Sequence, residues 1–250
     1  MRLIFILNSG RQKMKISLLN NRKNISNLLL TSFFMVSLIE IIAEYNEDKV
    51  LIWFTKPLII PFLVVYYLSM TKKINYYFLI ALVFSWIANL LFIENTMKWI
   101  IYGSIFFLIY KIIIIYIVMS KVKMPSLVPL IIGSIPFVFI YATISFLTFY
   151  AMGDNIYLFL THGIFSIFLG GLSLGNYIMV SNKQNLYLFV STMLFALTQF
   201  VFVLKIYYDD GNIFHAVAMG MFVIGQFLLT KFIFLTEKHN HNYEVVKNVR

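Results

Sequence analysis

Seven polar side chains with chemical capacity stand inside runs otherwise too apolar to meet water: Glu40, Lys56, Asn89, Lys111, His162, Gln199 and Gln226. A carboxyl and an amine can move protons, an ammonium can hold a phosphate, and an amide donates and accepts hydrogen bonds without titrating. An ionisable group inside hydrocarbon is costly and usually faces a bundle interior or a wet cavity, which makes each of these residues a candidate for function. The densest case is Trp53-Phe54-Thr55-Lys56-Pro57-Leu58-Ile59-Ile60-Pro61, a lysine and two prolines within one apolar run. Lys56 has two readings: a long stem that snorkels to the interface, or a buried ammonium bonded to carbonyls that a proline kink releases. Lys111 lies deeper, and is expected to point inward and to pair with Glu40 or with carbonyls, or to be neutral through desolvation.

The elements that must carry these residues follow from composition. Apolar residues make up 61% of the 250 and charged ones 12%, with no cysteine, against roughly 45–50% apolar residues in soluble domains. The chain is therefore expected to be an all-α polytopic bundle in which any chemistry is done by the membrane helices themselves. Without cysteine there is no disulfide, thiolate metal site or cysteine nucleophile. The net charge of +10 does not indicate nucleic acid, because the basic residues sit at helix ends and not on a surface domain.

Apolar runs predict helices at about 27–43, 50–70, 74–93, 98–119, 126–149, 155–180, 185–207 and 213–235, hence eight transmembrane helices. This gives a basic N-terminal tail over 1–26, a transmembrane domain over 27–235 and a polar C-terminal tail over 236–250. Met14 is a second possible start, since Lys15 onward is still basic. Lys72, Lys73, Lys121, Lys123 and Lys183 fall in alternate connections, and Glu44, Glu47, Asp48, Glu94, Asp154, Asp209 and Asp210 in the others. By the positive-inside rule both termini are cytoplasmic and the acidic loops face outward. The tail histidines His239 and His241 are read as solvated, because two mobile side chains do not make a metal site.

Depth and spacing suggest a shared cavity. At 1.5 Å per residue Lys56 lies about 9 Å below the outer edge of its helix, and Asn89, Gln199 and His162 also belong to outer halves. Ser85 and Asn89, then His162, Ser166 and Gly170, then His215, Met219, Phe222 and Gln226 each form one helical stripe. Such stripes also suit plain interhelical packing through small and hydroxyl residues.

Taken in order, Thr55-Lys56-Pro57-Leu58 with Pro61, Phe84 to Leu91, Gly103 to Lys111, Leu194 to Phe200, and Gly225-Gln226-Phe227-Leu228 resemble the motifs of the lysoplasmalogenase, or YhhN-like, membrane proteins. The sequence departs from that pattern where the family has glycine-aspartate (here Ala88-Asn89), a helix-four histidine (here Lys111) and an acidic or amide helix-seven residue (here Gln199). The resemblance implies an eight-helix protein of a bacterial inner membrane that hydrolyses the vinyl ether of lysoplasmalogens, or a degenerate relative that binds or moves a lipid or small amphiphile without hydrolysis. The expected catalytic set is Asn89, Lys111, Gln199 and Glu40, and the expected substrate-binding set is Lys56, His162 and Gln226. Lys56 would hold the headgroup phosphate, Glu40 would be the remaining carboxylate and Lys111 the acid. The expected partner is a membrane lipid or lysophospholipid, and no cofactor or metal is called for.

Overall fold

The computed structural model describes the backbone of residues 2–71, 73–208 and 211–247, and the side chains of residues 24–71, 73–208 and 211–237. Most of the expected N-terminal tail and of the C-terminal tail therefore lies outside the described side chains, as do Lys72, Asp209 and Asp210.

Backbone amides in hydrocarbon have no water to bond, so a chain this apolar must satisfy them within helices. Among the described residues there is no strand. The α-helices are α1 (Arg2–Asn46), α2 (Lys49–Met70), α3 (Tyr76–Leu91), α4 (Met97–Lys121), α5 (Leu127–Met152), α6 (Ile156–Met179), α7 (Lys183–Tyr207) and α8 (Asn212–Lys247). Short polar residues start several of them. The Asp48 carboxylate accepts from the Leu51 N–H at 3.1 Å, and the Asn75 and Asn182 side chains do the same for Phe78 and Asn185.

Seven segments are long and apolar enough to cross a membrane, and the chain is a multi-pass integral membrane protein. One of the seven, Leu127–Met179, is 53 residues long and contains both α5 and α6, parted only by a 3₁₀ turn at Gly153–Asn155. Gly153 turns the chain there with φ +52° and ψ −132°, a conformation that a Cβ would oppose.

The bounds of α2 to α7 match the apolar runs within a few residues, but α1 starts at Arg2 and not near 27, and α8 runs to Lys247 and not to 235. The expected first helix stopped at 43 and left Glu44 in an outer loop, but α1 continues to Asn46 and buries Glu44. A carboxylate is a poor candidate for a hydrocarbon helix on composition alone; tertiary partners keep it there.

Two packed layers of side chains hold the bundle. Phe33, Leu63, Tyr67, Phe78, Ile114 and Phe232 belong to a core joining α1, α2, α3, α4 and α8, while Phe137, Tyr141, Ile144, Phe159 and Ala196 join α5, α6 and α7. The α5 and α6 backbones touch: a Cβ added at Gly133 would lie 2.7 Å from the Gly175 nitrogen and 2.8 Å from the Gly171 oxygen. Small residues allow this approach where lipid supplies no hydrophobic drive between helices.

Candidate active site

Between the two layers lies a cavity of about 150 Å³. It is lined from the C-terminal turns of α1, α3, α5 and α7 and the N-terminal turns of α2, α4, α6 and α8, so these eight ends share one end of the bundle. Most of its wall is apolar, with phenylalanines 92, 107, 195, 202 and 222 prominent, and its polar groups stand at two places.

The first place is built by α1, α2 and α8. Glu40 and Glu44 are one helical turn apart on α1 and face Lys56 of α2. The Lys56 ammonium donates to Glu44 Oε1 and lies 3.6 Å from Glu40 Oε1. Thr55, beside it, donates to Glu40 Oε2. From the first turn of α8, His215 Nδ1 meets Glu44 Oε2 at 3.0 Å. Lys56 is 6% exposed, so it does not snorkel. Two carboxyls, one ammonium and one imidazole are formally neutral only with one proton beyond the one on Lys56. Glu40 Oε1 and His215 Nε2 are buried without a hydrogen-bond partner among the described residues. Glu44, Lys56 and His215 reach the cavity wall; Glu40 lies behind them.

Proline sets the geometry of α2. Pro61 has no N–H for the Pro57 carbonyl one turn before it, and the Trp86 indole of α3 donates to that oxygen instead, at 2.8 Å. The lysine-proline motif thus docks α3 while holding Lys56 toward α1.

The second place belongs to α4, α5, α6 and α7. Lys111 Nζ donates to Ser166 Oγ at 2.5 Å, to Gln199 Oε1 at 3.1 Å and to the His162 carbonyl at 3.2 Å, with His162 Nδ1 at 3.3 Å. Tyr141 donates to the same Gln199 oxygen at 2.6 Å. His162 Nε2 lies 2.9 Å from the Ser104 carbonyl. Because a carbonyl only accepts, Nε2 carries the hydrogen there and Nδ1 faces Lys111 as the acceptor. Gln199 and His162 line the cavity. Glu40, an expected partner for Lys111, is instead held on α1 by Thr55 and Lys56.

The remaining candidates divide. Asn89 lines the cavity, with its amide N–H donating to the Ser85 carbonyl at 2.7 Å. Gln226 does not line it: the side chain is fully buried, accepting from Tyr110 at 3.1 Å and donating to Ser85 Oγ at 2.8 Å, which ties α8 to α3 and α4. Of the seven residues, the structure brings Lys56, Asn89, His162 and Gln199 to one cavity, sets Glu40 and Lys111 just behind its wall and gives Gln226 to packing.

Two residues at the cavity wall, Glu44 and His215, were not among the seven. The signal was present in part, since Glu40 and Glu44 are spaced i, i+4 and His215 heads the stripe that ends at Gln226. Among the described residues, no group of three His, Cys, Asp or Glu side chains is placed to hold a metal ion.

A sequence model of the YhhN family matches residues 51–233. No curated protein and no solved structure matches the chain. Lys56 and His215 fall within the matched segment, and Glu40 and Glu44 precede it.

Proposed function

The chain belongs to the YhhN family, which includes lysoplasmalogenases, and from that premise we propose that it hydrolyses the vinyl ether of a lysoplasmalogen within the cavity, with Glu44 and His215 as its catalytic pair. The observation that carries this reading is the hydrogen-bonded Glu44 and His215 side chains on the wall of a mostly apolar cavity. Cleaving a vinyl ether requires a proton on its outer alkene carbon, a negative group beside the oxocarbenium ion that results, and a base for the water that adds to it. Glu44, held as a carboxylate by Lys56 and by His215 Nδ1–H, faces the cation. His215 Nε2, which has no hydrogen-bond partner among the described residues, delivers the proton to the alkene carbon and then takes one back from the attacking water, so the pair ends as it began. The hemiacetal then breaks into a fatty aldehyde and a glycerophospho-alcohol, so atoms and charge balance without a cofactor.

Lys56 serves here as a positioning residue. Its ammonium is already bonded to Glu44 and close to Glu40, which leaves a phosphate facing net negative charge. In the same reading α5 and α6 each cross the bilayer, giving eight crossings, cytoplasmic termini and a cavity that opens to the outer face of a bacterial inner membrane.

A second reading, lipid binding without hydrolysis, is favoured by Asn89 and Gln199: amides on the cavity wall that cannot move a proton in the useful range. One assay separates the two. Purified protein should release aldehyde from lysoplasmenyl-ethanolamine, and Glu44→Gln should lower the rate by about 10²-fold or more. Wild-type protein that binds the lysolipid but releases no aldehyde rejects the hydrolase and leaves the binder.

A further inference from the structure

A second, smaller cavity of about 20 Å³ lies beside Lys111 and is lined also by Ser166, Thr192, Tyr110, Phe107 and Phe195. The last two also line the large cavity and stand between the two spaces. Lys111 is 5% exposed, and the groups around its ammonium are a hydroxyl, an amide oxygen, a carbonyl and an imidazole nitrogen. None of them carries negative charge. Four acceptors satisfy the three N–H bonds, but hydrogen bonding to neutral groups does not supply a counter-charge, and an uncompensated buried ion is costly by several kcal/mol. Lys56 is treated quite differently in the same molecule, with two carboxylates within 4 Å.

We propose that Lys111 and the small cavity beside it bind a monovalent inorganic anion of halide size. The charge argument calls for an anion. The volume limits its size, because about 20 Å³ accommodates one or two water-sized spheres, which admits chloride or bromide and excludes phosphate and carboxylate groups. The chemistry of the wall agrees: an ammonium with the Ser166 hydroxyl beside it, and otherwise hydrocarbon and aromatic rings, the Thr192 hydroxyl being engaged with Ser173 and the Phe189 carbonyl. The anion neutralises Lys111 and so holds α4 against α6 and α7, the helices that carry Gln199 and His162 to the large cavity.

The test uses purified full-length protein in nanodiscs, with thermal midpoints in sodium chloride, bromide, phosphate and gluconate at equal ionic strength. Chloride and bromide should raise the midpoint saturably, by about 3 °C at tenfold excess over Kd, while gluconate and phosphate should not, and Lys111→Met should abolish the halide effect. In case that variant does not fold, retention of radioactive chloride by wild-type protein, displaced by bromide and not by gluconate, tests the site directly. Equal midpoints in all four salts with no chloride retained would mean that the cavity holds water alone, and would overturn the proposal. Stabilisation by phosphate equal to that by chloride would also overturn it, by placing the anion in the large cavity.

Discussion

At the scale of single residues, Lys56 and Gln226 stand in different surroundings. Both are buried polar side chains, but Lys56 completes a charge cluster that reaches the cavity and Gln226 bridges three helices away from it. Lys56→Met leaves two carboxyls without their cation, and removing one partner of a buried pair costs about 3–5 kcal/mol. The midpoint of Lys56→Met should therefore fall well below wild type, and Lys56→Met/Glu44→Gln should recover part of the loss. Additive losses in that double-mutant cycle would contradict a coupled pair. Gln226→Leu strands the Tyr110 hydroxyl and the Ser85 hydroxyl, and should cost about 1–3 kcal/mol. Under the hydrolase reading it should leave KM for the lysolipid within about twofold, whereas His215→Ala should lower kcat by about 10²-fold.

At the scale of elements, α2 depends on a borrowed hydrogen bond. Trp86→Phe removes the only described donor to the Pro57 carbonyl and should destabilise by about 1 kcal/mol. In a Pro61→Ala background the alanine N–H takes over that carbonyl, so the same Trp86 substitution should cost appreciably less. Equal costs in the two backgrounds would show that the indole does not replace the missing amide. The α5–α6 pair depends on absent side chains. Gly133→Ala places a methyl 2.7 Å from the Gly175 backbone nitrogen, which only separation of the helices relieves, and overpacking of this kind costs about 1–3 kcal/mol. Gly220→Ala meets nothing nearer than Ile41 Cδ1 at 3.7 Å and should be close to neutral. Only the packed structure identifies Gly133 as the partner of Gly171 and Gly175.

At the scale of the whole molecule, the eight-crossing reading makes opposite ends of α6 report opposite sides. The native chain has no cysteine, so single introductions are clean probes. Asp154→Cys should react with an impermeant maleimide added outside intact cells, and Ser181→Cys only after permeabilisation; equal labelling of both from outside would reject the topology. The all-helical membrane class and the bounds of α2 to α7 were readable in the sequence because hydropathy over about 20 residues is a local property, and the bilayer converts it directly into helices. The motif around Lys56 was readable too, as was the likelihood of a cavity near one end of the bundle. What the tertiary structure decided is which polar groups meet. Glu44 looks like a loop acid beside Glu47 and Asp48 in the sequence; three extra helical residues and two partners, from α2 and α8, make it a buried cavity residue. Lys111 and Glu40 looked like natural partners for want of other charges, yet they are held by different helices. Partner choice among buried charges depends on contacts between residues 12 to 171 positions apart, and no local pattern encodes those. The lysine that the sequence presents as a lone charge has, in the folded protein, two carboxylates within 4 Å, while the described groups bonded to Lys111 are all neutral.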